Sequence, residues 1–296
     1  MTHLNDIPVQ FDQEPHKYYD KRTGEELQGI TSTLIHRLFP DKYSGVPDDA
    51  MRKAQERGTV VHEDIELTET LGTEPSTQEG KNYLRLKADK GLNTLCSEYL
   101  VSDLKHYASS IDLVYDVEDG VVDLADIKTT SKLDRESVSW QLSIYAYMLE
   151  LNNPEVKVRN LYGIWLRGDV CELIEVHRYS VTDVLSLIEA DMQDKPFSYT
   201  PYYPPYIVDD EQRVYELSKK IRELTAELDE YKAKIIKEMS DHGDKSFDMG
   251  HMLITLVAPT EKKTFDTKKF QKDHADLYGQ YVKTTNTKKT LKITLR

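Results

Sequence analysis

The spacing of apolar and polar residues predicts alternating strands and helices over the first two thirds of the chain. Residues 8–35 read as short strands around a turn at Arg22–Gly24. Apolar positions at helical spacing predict two helices next, at 48–71 and 78–90. Further along, the pattern predicts strands at 97–107, 110–115, 121–130, 160–166 and 171–179, and helices at 137–151 and 182–192. This order predicts an α/β fold with a mixed central sheet flanked by helices.

A segment rich in proline and tyrosine follows, at residues 196–206. It holds four prolines and four tyrosines, and prolines at this density exclude a helix or a central strand. We interpret it as a stiff linker that packs against the preceding domain, although an aromatic strip for stacking bases has the same composition. The predicted organisation is therefore a first domain at 1–206 and a smaller helix-plus-strands domain at 207–296.

Residues 209–241 predict one long helix that ends at His242–Gly243. Its apolar residues recur at alternating three- and four-residue steps: Val214, Leu217, Ile221, Leu224, Leu228, Tyr231 and Ile235. This seam is typical of a coiled coil or a helical hairpin, so both a homo-oligomer and an intramolecular pairing stay open. A strand at 252–257, a helix at 267–281 and a final strand at 291–296 complete the prediction.

Composition excludes several classes of protein. No run of about 18 apolar residues occurs, so we expect no membrane-spanning helix. The first twenty residues lack a basic segment followed by an apolar one, so we expect no signal peptide and a cytoplasmic protein. The two cysteines, Cys96 and Cys171, are too few for a disulfide framework or a four-cysteine metal or iron–sulfur site.

The net charge of −13 argues against a general nucleic-acid coat. The charge is uneven, however, because residues 261–296 contain ten Lys or Arg and four Asp or Glu. This tail carries +6 and the remainder −19. An acidic body with a basic tail suits a metal-dependent enzyme of an anionic polymer, and it equally suits an acidic protein with a solvated tail.

Sequence motifs narrow the chemistry further. The phosphate-binding loop G-x-x-x-x-G-K-[ST] and the nucleophile elbow G-x-S-x-G are both absent, and no cysteines or histidines have zinc-site spacing. Two otherwise apolar strands instead carry charges, Asp112 in one and Asp126 with Lys128 in the other. Because side chains alternate along a strand, Asp126 and Lys128 share one face while Ile127 points into the core.

Burying these charges is costly unless they compensate one another or hold a cation. Asp112, Asp126 and the carbonyl of Ile127 therefore predict a site for Mg²⁺ or Mn²⁺. Lys128 would orient and help deprotonate the bound water and offset charge in the transition state. The alternative is a surface ion pair without function, since the triplet D-x-K is frequent by chance.

Residues around these strands add a recognisable pattern. Gln141 and Tyr145 share one face of the predicted helix 137–151, and His62 lies four residues after Gly58 and one turn before Glu66. In order and spacing, the motifs of this region resemble those of the RecB-like branch of the PD-(D/E)XK nucleases. The matched residues are Gly58, His62, Glu98, Asp112, Asp126, Lys128, Thr129, Gln141 and Tyr145. The resemblance spans roughly residues 8–200 and implies a restriction-endonuclease-like core.

The resemblance also implies roles for the matched residues. Asp112 and Asp126 would be metal ligands and Lys128 would position the nucleophilic water. His62 would complete the metal site, and Glu98 would contribute a second or outer position. Gln141 and Tyr145 would hold the DNA backbone and the active-site helix. One departure is Ser110, which stands where the family usually has a glycine.

The C-terminal segment is similar to the tails of phage YqaJ-like recombination exonucleases, which carry a charged helix followed by a motif like residues 265–274. The implied role of its lysines is to guide DNA or dock a partner; they are Lys262, Lys263, Lys268, Lys269, Lys272, Lys288, Lys289 and Lys292. A solvated lysine-rich face is the alternative.

The resemblance implies a divalent-metal-dependent DNA exonuclease of phage or prophage recombination. Its partners would be linear duplex or single-stranded DNA ends and a separate single-strand annealing recombinase, in the host cytoplasm. Two alternatives are a structure-specific or flap endonuclease with the same metal site, and an inactive DNA-binding or interaction protein on a nuclease fold. Retention of Asp112, Asp126, Lys128 and Gln141 favours an active enzyme over the last of these.

Overall fold

The structure, a computed structural model, describes residues 2–13, 15–259 and 265–282. The chain divides into two compact units, the first ending at Tyr202 and the second beginning at Tyr203. The first unit contains an eight-stranded sheet. Its strands are β1 (Val9–Asp12), β2 (Lys17–Asp20), β3 (Glu26–Gly29), β4 (Thr94–Ser102), β5 (Tyr107–Glu118), β6 (Val121–Lys128), β7 (Lys157–Arg167) and β8 (Val170–Val176).

The sheet is mixed, in the order β1-β2-β3-β5-β6-β7-β8, with β4 paired to β5. Strands β4, β5 and β6 are antiparallel neighbours, and β7 and β8 form an antiparallel hairpin. Strands β6 and β7 are parallel, so the chain must cross over between them. The crossover is a helix, and its Gln141 contacts Asp126 of β6.

Helices cover both faces of the sheet. They are α1 (His36–Leu38), α2 (Asp48–Leu71), α3 (Gln78–Lys90), α4 (Arg135–Asn152), which is the crossover, and α5 (Val181–Met192). Val61 and Ile65 of α2 pack with Ile127 on one face. Trp140 of α4 and Leu187 of α5 pack on the other face. The first unit is therefore a mixed sheet flanked by helices, and this part of the predicted fold is confirmed.

The bounds predicted for α2 and α3 are confirmed because the sequence marks their ends. Helix α2 ends at Gly72 in the left-handed region, with φ 66°. Helix α3 begins after Thr77, whose side chain accepts a hydrogen bond from the amide of Gly80, and it ends at Gly91 with φ 64°. Local capping chemistry thus fixes the helix that carries His62.

Two predictions in the sheet were wrong. Residues 31–35, expected as part of a strand, form a π-helical turn that continues into α1 and buries Leu34 and Ile35, because a short apolar run suits a buried helix as well as a strand. The strand expected at 97–107 ends at Ser102. There the Asp103 carboxylate accepts hydrogen bonds from the amides of residues 105–107 and forms a turn before β5.

The proline- and tyrosine-rich segment packs against the first unit. Phe197 and Tyr199 lie edge-on to the buried Trp140, with ring centroids 5.7 and 5.0 Å away, and Tyr202 stacks on His177 at 3.9 Å. These rings are occupied within the protein, as the packing interpretation predicts. The segment is shorter than predicted, because Pro205 already lies in the first turn of the next helix, where a missing amide costs little.

The second unit begins with the long helix α6 (Pro205–His242), which ends at Gly243 as predicted. From Leu217 to Ile235 the predicted apolar seam is exposed in the described part of the chain. The predicted strand at 252–257 is shorter, β10 (Leu253–Thr255), and it pairs with β9 (Ser246–Asp248), which the sequence did not predict. None of the described helices is both long and apolar enough to cross a membrane.

The helix predicted at 267–281 is interrupted. It forms α7 (Thr267–Asp273) and α8 (Ala275–Tyr281), separated at His274 by a non-helical backbone with φ −141°. Asp and His are both weak helix formers, which explains a break at this junction. The strand predicted at 291–296 lies outside the described residues, as do Lys262, Lys263, Lys288, Lys289 and Lys292.

Candidate active site

The two predicted acidic strands are neighbours in the sheet. Asp112 lies in β5 and Asp126 in β6, and the ladder between these strands pairs Leu113 with Ala125 just before the two acids. Ile127 packs in the core with α2, whereas Asp126 faces α4, as the alternation of the strand predicts. The fold therefore places both carboxylates together at one end of the β5–β6 ladder.

Asp126 is almost fully buried, with 1% of its surface exposed. Its Oδ1 accepts a hydrogen bond of 2.6 Å from Gln141 Nε2. Its Oδ2 lies 2.7 Å from the ammonium of Lys128 in an ion pair, but no hydrogen bond of acceptable geometry reaches this oxygen from the described residues. A buried carboxylate oxygen without a hydrogen bond is costly, and a cation would satisfy it.

Gln141 connects three groups of the site. It donates to Asp126 and to Tyr145 Oη at 2.9 Å, and its Oε1 accepts from Lys128 Nζ at 3.1 Å. The Tyr145 hydroxyl also lies 2.9 Å from the Ser109 hydroxyl. Tyr145 exposes only 2% of its surface, so its hydroxyl is used inside the protein. The structure thus favours a positioning role for Tyr145 over the predicted contact with DNA.

Lys128 is held in its charged form. Burial works against an ammonium group, but the carboxylates of Asp126 and Asp112 outweigh it and raise the pKa of Lys128 above its usual value. A lysine with a raised pKa keeps its proton at neutral pH. This favours orienting water and offsetting negative charge over the predicted help in deprotonation.

His62 projects from α2 toward the end of the β5–β6 ladder. Its Nε2 lies 3.1 Å from the carbonyl oxygen of Ile127, and its Nδ1 lies 3.5 Å from Asp112 Oδ2. Burial lowers the pKa of His62, although the Asp126 carboxylate opposes the shift, so the neutral ring that a metal requires is favoured. Adjacent ligands of an octahedral ion with bonds of about 2.1 Å lie about 3 Å apart, which fits the separation of Nε2 and the carbonyl.

Glu98 reaches the site through an unusual backbone. It lies inside β4 with φ 48°, in the left-handed region, while Ser97 and Tyr99 on either side stay paired with β5. Its Oε2 accepts a hydrogen bond of 2.6 Å from Ser110 Oγ. Burial and the Asp112 carboxylate raise the pKa of Glu98 to about 7. Backbone strain of this kind is concentrated at functional sites.

Asp112 carries the largest perturbation among the carboxyl groups of the site. Burial, and then the neighbouring Asp126 carboxylate, raise the pKa of Asp112 to about 8, against the opposing effect of Lys128. Ligand atoms of His62, Glu98 and Asp112 all lie within 4.8 Å of one another. The neutral imidazole, the crowded carboxylates and the unsatisfied oxygen of Asp126 fit a hard divalent cation such as Mg²⁺ or Mn²⁺.

The site opens onto a cleft of about 680 Å³ in the first unit, which Lys128 and Gln141 line. The described lining residues include one carboxylate, Asp134, and six basic side chains: Lys42, Lys53, Arg57, Lys128, Lys132 and Arg167. Burial and the neighbouring Lys128 lower the pKa of Lys42, opposed by Asp134. In a chain of net charge −13, this local excess of positive charge is compatible with an anionic ligand.

The structure brings together most of the residues selected from the sequence. At the end of the β5–β6 ladder, ligand atoms of His62, Glu98 and Asp112 form one cluster beside the carbonyl of Ile127. Asp126, Lys128, Gln141 and Tyr145 form a connected network next to it. Lys268, Lys269 and Lys272 lie in α7, in the second unit, with exposed side chains. Sequence reasoning missed the role of Ser110, which donates a hydrogen bond to Glu98, and the basic residues of the cleft other than Lys128, which no sequence motif marks.

Comparisons with known proteins leave the chain without a family. No family model and no curated protein matches it. Among solved structures, it is similar to the crystal structure of SSO0001, with 12% sequence identity, coverage of 60% of this chain and 79% of that chain, and a TM-score of 0.33.

Proposed function

We propose that the chain is a divalent-metal-dependent nuclease that hydrolyses phosphodiester bonds at DNA ends. The observation that carries the proposal is the network of Asp126, Lys128 and Gln141 beside Asp112 and His62 at the edge of a basic cleft. Clustered carboxylates supply a cation site, and a protonated lysine supplies positive charge where phosphate charge develops. The alternative, a surface ion pair without function, does not explain why Asp126 and Gln141 are buried.

The residues divide the chemistry between them. Asp112, Asp126, His62 and the carbonyl of Ile127 would hold Mg²⁺ or Mn²⁺, with Glu98 beside them. The bound ion would polarise the phosphate and lower the pKa of the attacking water. Lys128 would orient that water through its ammonium protons and offset charge on the phosphate oxygens. Gln141 fixes Lys128 and Asp126 relative to each other, and Tyr145 fixes Gln141.

The basic cleft supports a polyanionic substrate. Its excess of positive charge lies beside the acidic site, so a strand bound in the cleft would present a phosphate to Lys128. A product strand could serve a separate annealing protein in recombination, which we propose as the biological setting.

The test uses linear duplex DNA labelled at either the 5′ or the 3′ end, incubated with the purified chain and Mg²⁺ or Mn²⁺. We expect metal-dependent loss of linear DNA from one end, no loss in chelator, and resistance of closed circular DNA. Cutting of circular or flapped DNA would favour the endonuclease alternative instead. Binding of DNA without cleavage under any metal would support an inactive binding protein and overturn the proposal.

A further inference from the structure

Two arginines of the first unit meet at one backbone oxygen. Arg57 of α2 donates from Nη2 to the carbonyl oxygen of Thr129 at 2.8 Å, and Arg167 at the end of β7 donates from Nη1 to the same oxygen at 3.0 Å. Neither guanidinium forms an ion pair with a carboxylate in the described part of the chain. Two full positive charges therefore share one neutral acceptor.

This arrangement leaves donors unused. A guanidinium has five N–H donors, and these two side chains use one each in the contacts to Thr129. The Nε of Arg57 is buried and has no hydrogen-bond partner among the described residues. Like charges held close together with unsatisfied donors are unfavourable unless an anion joins them.

The position of the pair indicates which anion. Both arginines line the basic cleft, and Thr129 directly follows Lys128 in the sequence. A group held by the two arginines would therefore lie next to the phosphate that the water oriented by Lys128 would attack. Each planar guanidinium can donate to two oxygens of one phosphate at once, whereas an ammonium group acts as a point charge.

We propose that Arg57 and Arg167 form a receptor for a second phosphate of the substrate strand, adjacent to the scissile one. This inference rests on the proposed nuclease function and adds to it the residues that set the register of the strand. The two side chains act as substrate-binding residues. Their shared contact with Thr129 also couples strand binding to the position of Lys128.

The test is a coupling experiment between the arginines and single phosphates. Binding of end-labelled DNA is measured with the full chain carrying Asp126→Asn, so that the strand stays intact, in Mg²⁺. The DNA carries one neutral methylphosphonate at each of the first phosphates from the end in turn. Arg57→Gln and Arg167→Gln are compared singly and together, because glutamine keeps a polar side chain while losing the charge.

With both arginines present, we expect one methylphosphonate position to weaken binding about tenfold, the effect of losing one charge-assisted hydrogen bond. In the double glutamine variant the same substitution should cause no further loss, since the receptor is already gone. The matched control is Arg85→Gln, an exposed arginine of α3 that does not line the cleft, which should keep the full tenfold effect.

The inference would be overturned if each methylphosphonate position weakened DNA binding equally in the double glutamine variant and in the Arg85→Gln control. A purely structural role for the arginines would weaken binding without this position dependence. If a glutamine variant fails to fold, Arg57→Lys and Arg167→Lys replace it, and undiminished coupling there also overturns the inference. Cleavage by the unsubstituted chain is assayed in parallel. If this chain cleaves DNA but shows no coupling, only the phosphate receptor is overturned. If it does not cleave DNA, the proposed function is overturned.

Discussion

The backbone amide of Ile127 donates to the Asp112 carboxylate at 2.6 Å, and this bond closes the ladder between β5 and β6. Regular pairing of the two strands stops at Leu113 and Ala125, so the side chain takes the place of the next backbone acceptor. Asp112 is thereby fixed at the point where the strands separate. At this point ligand atoms of His62 and Glu98 approach the Asp112 carboxylate.

Asp112→Asn should stabilise the metal-free protein, increasingly so as the pH rises. The pKa of Asp112 is about 8 in the folded protein and 3.8 in an unfolded chain. The stability gained by protonation is therefore fully present below pH 4, is lost as the pH rises to about 8, and changes no further above that. Asparagine has no such titration and keeps an oxygen for Ile127. Thermal unfolding at pH 5, 7 and 9 in chelator measures the difference, which is worth about 1.4 kcal/mol for each pKa unit.

The control for this prediction is Glu172→Gln, an exposed residue of β8 outside the site. Its effect on the unfolding temperature should not vary with pH. If the difference in unfolding temperature between Asp112→Asn and the unsubstituted chain did not vary with pH, the raised pKa of Asp112 would be contradicted. Added Mn²⁺ should stabilise the unsubstituted chain more than the variant.

Asp126→Asn should lower cleavage of linear DNA by at least about a hundredfold while leaving the fold intact, as expected for a key electrostatic group. Asparagine keeps the volume of the side chain and an oxygen for Gln141, but it removes the charge that faces the cation site. Initial rates in Mg²⁺ and circular dichroism measure the two effects. Activity close to that of the unsubstituted chain would exclude Asp126 from the catalytic residues.

Lys128→Ala should separate metal binding from turnover. Its ammonium lies 2.7 Å from Asp126, so its removal takes away a competing positive charge and should leave Mn²⁺ affinity unchanged or higher. Turnover should be lost, because the water and the phosphate lose their positively charged partner. Calorimetric titration with Mn²⁺ and a cleavage assay are run on the same preparation. A parallel fall in both quantities would mean that Lys128 only supports the site structurally.

Gln141→Leu should reduce both stability and activity. It removes the acceptor of Lys128 and the donor of Asp126, leaving buried polar groups unpaired at a cost of about 1–3 kcal/mol. Tyr145→Phe is the matched comparison, because it removes one hydroxyl from the same network and keeps the ring. We expect a smaller loss of activity for Tyr145→Phe. Equal effects of the two substitutions would contradict the central position given to Gln141.

Truncation after Gly243 tests the basic tail, including Lys268, Lys269 and Lys272. If these lysines contact phosphates, their removal reduces counterion release, so DNA binding should depend less steeply on salt. Metal-dependent cleavage at low salt should persist, because the residues of the candidate site precede the cut. An unchanged salt slope in a well-behaved truncated protein would assign the tail to a protein partner instead.

Local chemistry explains which features the sequence predicts well. Helix α2 was predicted with its full bounds, and the shared face of Asp126 and Lys128 follows directly from the alternation of a strand. These properties depend on neighbours in the sequence. The hydrogen-bonded turn at Asp103 also depends on neighbours, but β-type composition on both sides of it conceals the break.

Contacts between distant segments explain what the sequence does not reveal. Arg57 and Arg167 are far apart in the chain, and they meet only because α2 and β7 both reach the backbone after Lys128. Both arginines donate to a backbone carbonyl oxygen, and every residue has one, so the sequence pattern does not indicate this contact. Likewise, the burial of Tyr145 depends on how α4 packs against the sheet, so its internal role emerges only with the fold.

Glu98 places stability and chemistry in opposition at a single position. Its left-handed backbone disfavours any side chain, and its carboxylate adds to the crowding around Asp112. Selection for heat resistance alone would favour glycine there, since one substitution relaxes the backbone and removes the charge. A glutamate in the middle of β4 therefore lowers the stability of the fold while it places a carboxylate beside His62 and Asp112.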